Sequence, residues 1–431
     1  MILQNGRYVI QGVDVEHLAL QYGTPLYVYD ASVITRQVQA LRSAFSRLPV
    51  RILYAMKALS TPAILELLRQ TGVGIDAVSI QEVELALRAG YQPKDILFTP
   101  NGVGFEEIKR AIELGVRLNI DNIPMLERFG EMYGHTVPCC IRLNPHINAG
   151  GHAKISTGHI DSKFGISILQ LRHLTRIIQL WNLRVNGLHI HTGSDILDTE
   201  VFLQGVRLLF DIARDFPDLE FIDLGSGFKV AYRSDDVTTD LKSLAEGLEE
   251  AYHTFTAESG RTIELWFEPG KFIVSEAGVL LVRVNVVKPT PATVFVGVNS
   301  GFNHLIRPMM YDAYHEIVNV SRPEGPKRIY TVVGYLCETD TFGSDRLIVE
   351  VREGDILGIR NAGAYGYTMS SNYNSRPRPA ELLIYHGKPL LIRRAETLED
   401  MLRTVVSVDW NAVGALQEPQ VQLEASDARP S

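Results

Sequence analysis

Residues 51–98 read RILYAMKALSTPAILELLRQTGVGIDAVSIQEVELALRAGYQPKDILF, and three short apolar runs stand out: Arg51–Met56, Val73–Ala77 and Asp95–Phe98. Between them lie Ala63–Gln70 and Gln81–Ala89, whose apolar residues recur at helical spacing. A strand, a helix, a strand, a helix and a strand in this order predict parallel pairing with helices covering the sheet.

The pattern continues outward. Strand candidates follow at Arg117–Ile120, Val137–Leu143, Val185–Ile190, Phe221–Leu224 and Ile263–Phe267, with helix-period segments at Glu106–Leu114, Ser167–Leu180, Glu200–Asp215 and Asp240–Glu258. Eight strand–helix units predict an α/β fold, a closed (β/α)8 TIM-type barrel. After Glu268 the texture changes. Val279–Val287, Ala292–Val298, Arg328–Val333 and Leu347–Val351 read as strands with no long helix between them, which predicts a mostly antiparallel β-barrel or sandwich domain. The expected division is 31–269 for the barrel and 270–410 for the β domain. Residues 1–30 are expected to join the β domain through runs at Tyr8–Ile10 and Leu26–Tyr29, and 411–431 to form a loose tail.

The 431 residues are 45% hydrophobic and 21% charged with a net charge of -8, a balance that argues against a nucleic-acid partner. Three cysteines, two of them adjacent, make no disulfide framework. No apolar stretch reaches membrane-spanning length and no secretory leader is apparent, so a cytoplasmic protein is expected.

Barrel chemistry sits at the C-terminal strand ends. There the sequence places Lys57, Asp76, Arg142, His189-Ile-His191-Thr-Gly-Ser194, Gly225-Ser-Gly227 and Glu268-Pro269-Gly270-Lys271. Each glycine turn alone is an ordinary left-handed turn. On the adjacent last two loops of a barrel the pair reads as a phosphate cradle of backbone N–H groups. A phosphate site facing a strand-end lysine points to pyridoxal phosphate, with Glu268 placed to pair with its pyridine nitrogen and His191 to stack on its ring. Taken singly, Glu268 reads better as a surface ion-pair residue, and each histidine reads as a core imidazole. Zinc is disfavoured because no third or fourth ligand stands at suitable spacing. The polar segment 144–165 is long for a barrel loop and reads as an active-site flap.

These residues resemble the pyridoxal-phosphate-dependent decarboxylases of the alanine-racemase-like barrel fold, and among them the diaminopimelate decarboxylase family. The motifs are Tyr54-Ala-Met-Lys57-Ala, His189-Ile-His-Thr-Gly-Ser194, Asp223-Leu-Gly-Ser-Gly-Phe228, Glu268-Pro-Gly-Lys271, Asn303-His-Leu-Ile-Arg-Pro308, Cys337-Glu-Thr-Asp340 and Ala362-Gly-Ala-Tyr-Gly366. The resemblance implies that Lys57 carries the cofactor as a Schiff base, with Asp76 near that end, Glu268 on the pyridine nitrogen and His191 against the ring. Ser194, Gly225, Gly227 and the Glu268–Lys271 turn, with Pro269 and Gly270, would surround the phosphate. Lys271, Arg307 and Tyr311 would hold a distal substrate carboxylate, and Tyr365 would touch cofactor and substrate. Cys337, as proton donor, and Glu338, on the distal amine, would reach the site from the second chain of a homodimer.

The sequence departs from the family in two places. Its glycine triplet is Gly-Ser-Gly here, and Lys271 stands where many members carry arginine; lysine keeps the charge but not the bidentate fork. The implied activity is conversion of meso-2,6-diaminopimelate to L-lysine and CO2. Carboxynorspermidine, ornithine or arginine decarboxylation, racemisation and a catalytically silent cofactor-binding regulator are the alternatives. Arg307 with Lys271 argues against diamine substrates that lack a distal carboxylate, Glu268 against a racemase, and the β domain with Cys337 and Tyr365 against a silent regulator.

Overall fold

We describe a computed structural model of the chain, over residues 1–413 apart from 148–161, 192, 194–196 and 234. The barrel strands are β1 (Val50–Ala55), β2 (Gly74–Ala77), β3 (Ile96–Phe98), β4 (Arg117–Ile120), β5 (Cys139–Asn144), β6 (Val185–His189), β7 (Phe221–Asp223) and β8 (Glu264–Phe267). Each pairs in parallel with the next, and β8 closes onto β1 with Leu265 opposite Val50 and Phe267 opposite Ile52. All eight lie where the apolar runs placed them, shifted at the ends by one or two residues.

The helices follow from their caps and apolar spacing. Ser79 accepts from the Glu82 N–H to start Ile80–Arg88, and Asn122 accepts from the Met125 N–H to start Ile123–Tyr133. Helix Ala31–Ala44 buries Ile34, Val38 and Leu41, one stripe at four- and three-residue steps. Truncating one of these, as in Leu41→Ala, costs about 2–5 kcal/mol.

The second domain is built on one long strand, Gly278–Pro289. It pairs antiparallel with Leu26–Asp30, Val294–Val298 and Ile356–Ile359. Two parallel pairings interrupt the antiparallel pattern, Val294–Val298 with Lys327–Val333 and Leu26–Asp30 with Ala380–Tyr385. Of the two N-terminal runs, Leu26–Asp30 lies inside this sheet. The other does not: Arg7–Ile10 pairs with Ile2–Gln4 and Val13–Asp14 in a separate three-stranded sheet. The short turns at Asn5-Gly6 and Gln11-Gly12, with positive φ at all four residues, favour local hairpins over a long-range partner.

The two domains are joined by buried polar contacts as well as by apolar packing. Asp30 ends its strand and caps helix Ala31–Ala44 through the Ser32 N–H at 2.9 Å. Glu381, fully buried, accepts from the Tyr29 hydroxyl (2.7 Å), the Thr61 hydroxyl (3.0 Å) and Arg393 Nε (2.5 Å). Thr61 lies four residues beyond Lys57, so this β-domain carboxylate helps fix the loop after β1. Among the described residues, no helix is long and apolar enough to cross a membrane.

Candidate active site

The C-terminal ends of the barrel strands surround a cavity of about 420 Å³. Lys57, Asp76, His191, Gly227, Glu268, Gly270, Lys271 and Tyr365 line it, as do Thr99, Asn101, Arg142, Lys163 and Phe164. Tyr365 is the β domain's contribution to this wall. Its backbone N–H donates to the Ala58 carbonyl at 2.8 Å, which pins the β-domain loop beside Lys57.

Lys57 sits on a single 3-10 turn, Met56–Ala58, directly after β1, with its side chain open to the cavity. Its Nζ lies 3.3 Å from Oδ2 of the buried Asp76. Burial alone would lower the lysine's affinity for its proton, but Asp76, then Tyr365 and Glu268, more than reverse this and raise it. Burial pushes the Asp76 carboxyl up, Glu268 adds to the shift, and Lys57 opposes it.

Glu268 follows β8 and is buried, and its Oε2 accepts from His189 Nε2 at 3.1 Å. Burial on its own would raise this carboxyl; His189, with Lys57 and His191 behind it, brings it down to about 2. The other oxygen, Oε1, is buried with no hydrogen-bond partner. His191 has its imidazole pushed down to about 3, by burial first and the Arg142 charge second, so it faces the cavity neutral.

The glycines of the last two loops are there for space. At Gly225 (φ +64) a Cβ would lie 2.6 Å from His191 Nδ1 and 2.7 Å from the Ile190 carbonyl. At Gly270 it would press on Ala55 and Ala58 at 3.1–3.2 Å. The residues therefore fit pyridoxal phosphate: an amine at one end of the cavity, a buried acceptor lacking a donor, and backbone turns with room for an anion.

Not every residue expected at the site lines the cavity. Ser194 lies outside the described residues, as does most of the 144–165 flap; its described end puts Phe164 4.8 Å under the Arg142 guanidinium at the cavity wall. Gly225 and Pro269 stand in the turns just behind the lining. Arg307 and Tyr311 belong to the short helix Arg307–Tyr311 and are not in the lining. Arg307 is buried and donates to the Tyr232 hydroxyl at 2.7 Å, and that hydroxyl lies 3.1 Å from Ser275 Oγ. Cys337 and Glu338 are exposed on their own chain, Cys337 Sγ accepting from Asn374 Nδ2 at 3.3 Å and Glu338 from the Tyr373 hydroxyl at 2.9 Å.

Ring and carboxylate atoms of His189, Asp223 and Glu268, scattered over 80 residues of sequence, lie within 4.8 Å of one another because β6, β7 and β8 are neighbours. Contrary to the expectation from sequence spacing, three residues of metal-ligating type therefore converge here. Their contacts with each other, beside the cations Lys57 and Arg142, account for the cluster as a hydrogen-bonded group. The sequence assigns no role to Asp223 or Tyr232: Asp223 reads as a residue of the strand Phe221–Leu224 that heads the Asp223–Phe228 motif, and Tyr232 as part of a loop.

The family described as "Pyridoxal-dependent decarboxylase, pyridoxal binding domain" matches residues 31–275. Diaminopimelate decarboxylase of Methanothermobacter thermautotrophicus is 40% identical over 408 residues, covering 92% of this chain and 95% of its own. That of Vibrio cholerae is 36% identical, covering 92% and 96%. The crystal structure of the M. jannaschii diaminopimelate decarboxylase in complex with L-lysine superposes with a TM-score of 0.87 at 32% identity, covering 94% and 98%. The Helicobacter pylori enzyme with L-lysine gives 0.83 at 34%, covering 90% and 98%. A lysine/ornithine decarboxylase from Vibrio vulnificus, at 23% identity and a TM-score of 0.76, shares the fold. With its barrel, its second sheet and nearly its whole length matched, this chain belongs to the diaminopimelate decarboxylase family of pyridoxal-phosphate-dependent decarboxylases.

Proposed function

We propose that this chain converts meso-2,6-diaminopimelate to L-lysine and CO2, the last step of lysine biosynthesis, as a cytoplasmic homodimer with shared active sites. The observation that carries the reading is the cavity at the barrel mouth. There the Lys57 amine, the buried Glu268 carboxylate and the glycine turns after β7 and β8 share one space. Two relatives of known structure bind L-lysine, the product expected here.

When bound, pyridoxal phosphate supplies an electron sink for the pair left behind as the carboxylate departs. Lys57 holds the cofactor through its amine. That amine must first lose a proton, and Asp76 Oδ2, 3.3 Å away, is the acceptor in contact with it. Glu268, ionised and fixed by His189, pairs with the pyridine nitrogen. His191, neutral, packs against the ring without adding a positive charge. The backbone of Gly225, Gly227 and Glu268–Lys271 would surround the phosphate, and the family resemblance adds the hydroxyl of Ser194.

The distal carboxylate of the substrate is held by Lys271, Arg307 and Tyr311, with Tyr365 forming the wall between Lys57 and Arg307. Arg307 is aimed by the Tyr232 hydroxyl. The partner subunit's Cys337 returns a proton to the α-carbon after CO2 leaves, and the partner subunit's Glu338 takes the distal amine. Their exposure outside the cavity of their own chain suits a contribution across an interface.

The test uses purified protein loaded with pyridoxal phosphate. It should release CO2 and L-lysine from meso-diaminopimelate, and borohydride should trap the cofactor on Lys57. Turnover of a different diamino acid alone overturns the substrate, and trapping on another lysine overturns the site.

A further inference from the structure

A second buried carboxyl stands behind Glu268, and the reaction above makes no use of it. Asp223 ends β7 with no exposed surface. Its Oδ1 accepts from the Gly225 N–H at 2.8 Å, which ties it to the phosphate turn. Its Oδ2 is buried without a donor, and its carboxylate lies within 4.8 Å of the Glu268 carboxylate.

Two ionised carboxylates this close, away from water, repel and leave an acceptor unsatisfied. One proton between them removes both penalties. Its position follows from the surroundings. Glu268 receives the His189 Nε2–H and faces the Lys57 ammonium, both of which favour its ionised form. Asp223 has a single backbone N–H. Burial first, and Glu268 second, push the Asp223 carboxyl well above the usual carboxylate range, while Glu268 falls to about 2.

We propose that Asp223 is a positioning residue, held as a neutral acid that donates a hydrogen bond to Glu268 and so fixes that carboxylate, ionised, toward the pyridine nitrogen. Asp223 thus links the phosphate turn, through Oδ1, to the pyridine partner, through Oδ2. The inference rests on the proposed role of Glu268.

An amide is the neutral mimic of such an acid, since its carbonyl accepts from Gly225 and its NH2 donates to Glu268. Asp223→Asn should therefore preserve the site and Asp223→Ala should not. With ¹⁵N-labelled pyridoxal phosphate bound, the pyridine nitrogen signal of Asp223→Asn should match wild type. That of Asp223→Ala should move toward the unprotonated form, with cofactor held about tenfold more weakly, as for loss of one hydrogen bond to a charged group. If Asp223→Asn moves the signal as far as Asp223→Ala, the proposal is overturned.

Infrared spectroscopy of the cofactor-free wild type gives a second measurement that needs no alanine variant. A protonated carboxyl band that shifts on ¹³C-aspartate labelling and disappears in Asp223→Asn is expected. The lack of any such band, or its persistence in Asp223→Asn, overturns the proposal. Glu268→Gln separates the two claims: an unchanged nitrogen signal there refutes the assignment of Glu268, whereas the infrared band reports the Asp223 proton independently.

Discussion

The Arg307 guanidinium donates to the Tyr232 hydroxyl at 2.7 Å and lies over the same ring, 4.9 Å from its centroid. A tyrosine on the loop after β7 thus orients an arginine of the β domain. Tyr232→Phe keeps the ring contact and removes the acceptor. The KM for diaminopimelate should rise roughly 5- to 30-fold, the equivalent of about 1–2 kcal/mol, with kcat within about twofold. A lowered kcat at unchanged KM would place Tyr232 in the chemistry instead.

Gly225→Ala forces a methyl group into His191 and the Ile190 carbonyl in a backbone conformation that favours glycine. The purified variant should retain its fold by circular dichroism and lose bound cofactor, with affinity down by at least about tenfold. Full cofactor occupancy at the wild-type affinity would show that the turn has slack the packing does not reveal.

Glu381→Leu should destabilise the protein by about 3 kcal/mol, since it leaves the Tyr29 and Thr61 hydroxyls and Arg393 without their common acceptor. The figure is at the low end for a buried pair because Arg393 is itself partly exposed. Urea unfolding measures it, and a loss under about 1 kcal/mol would mean that water replaces the carboxylate.

Two buried histidines set an acid limit on stability. Burial, then the Arg307 charge, pushes the His315 imidazole down to about 3, and burial pushes His304 down to about 4. Both are neutral in the folded protein near neutrality, while the unfolded chain takes up protons below about pH 6.5. Their stabilisation is therefore complete above that value and is lost as pH falls toward about 4, by up to about 1.4 kcal/mol per pH unit for each imidazole. Unfolding free energies at about pH 7 and about pH 5 should show the decline, and His315→Gln should make it shallower. Equal values at the two conditions would contradict it.

Mixing Lys57→Ala with Cys337→Ala should restore activity to about one quarter of wild type after random subunit exchange, because half the dimers then carry one intact site. No rescue despite exchange, followed by mass spectrometry, would confine the site to one chain.

The barrel was legible because its strands are buried on both faces, and their apolar runs survive reading without partners. The end-of-strand rule then located Lys57, Asp76, His191 and Glu268 together. Ile356–Ile359 and Ala380–Tyr385 were not anticipated. Their runs, ILGI and AELLIY, gain meaning only from the partner strands Gly278–Pro289 and Leu26–Asp30. Asp223 and His189 stand in motifs, but their roles as neighbours of Glu268 were not legible, for a related reason. Their significance lies in the adjacency of β6, β7 and β8, which sequence spacing does not encode. Tyr232 depends on a contact with Arg307 across 75 residues.

Leu26–Asp30 lies between Gly278–Pro289 and Ala380–Tyr385 in the β-domain sheet. The ribosome therefore makes this strand first and its last neighbour hundreds of residues later, an interval of about tens of seconds at ordinary synthesis rates. Until Gly278–Pro289 follows, a strand reading LYVYD, with five positions destined for burial, has no permanent partner, and its second edge stays open until Ala380–Tyr385 arrives. The barrel can condense in between, but its first helix stays tethered to an unsatisfied edge. Newborn chains should lean on holding factors until release, and a copy of the gene relocated to begin at the barrel should be spared that wait.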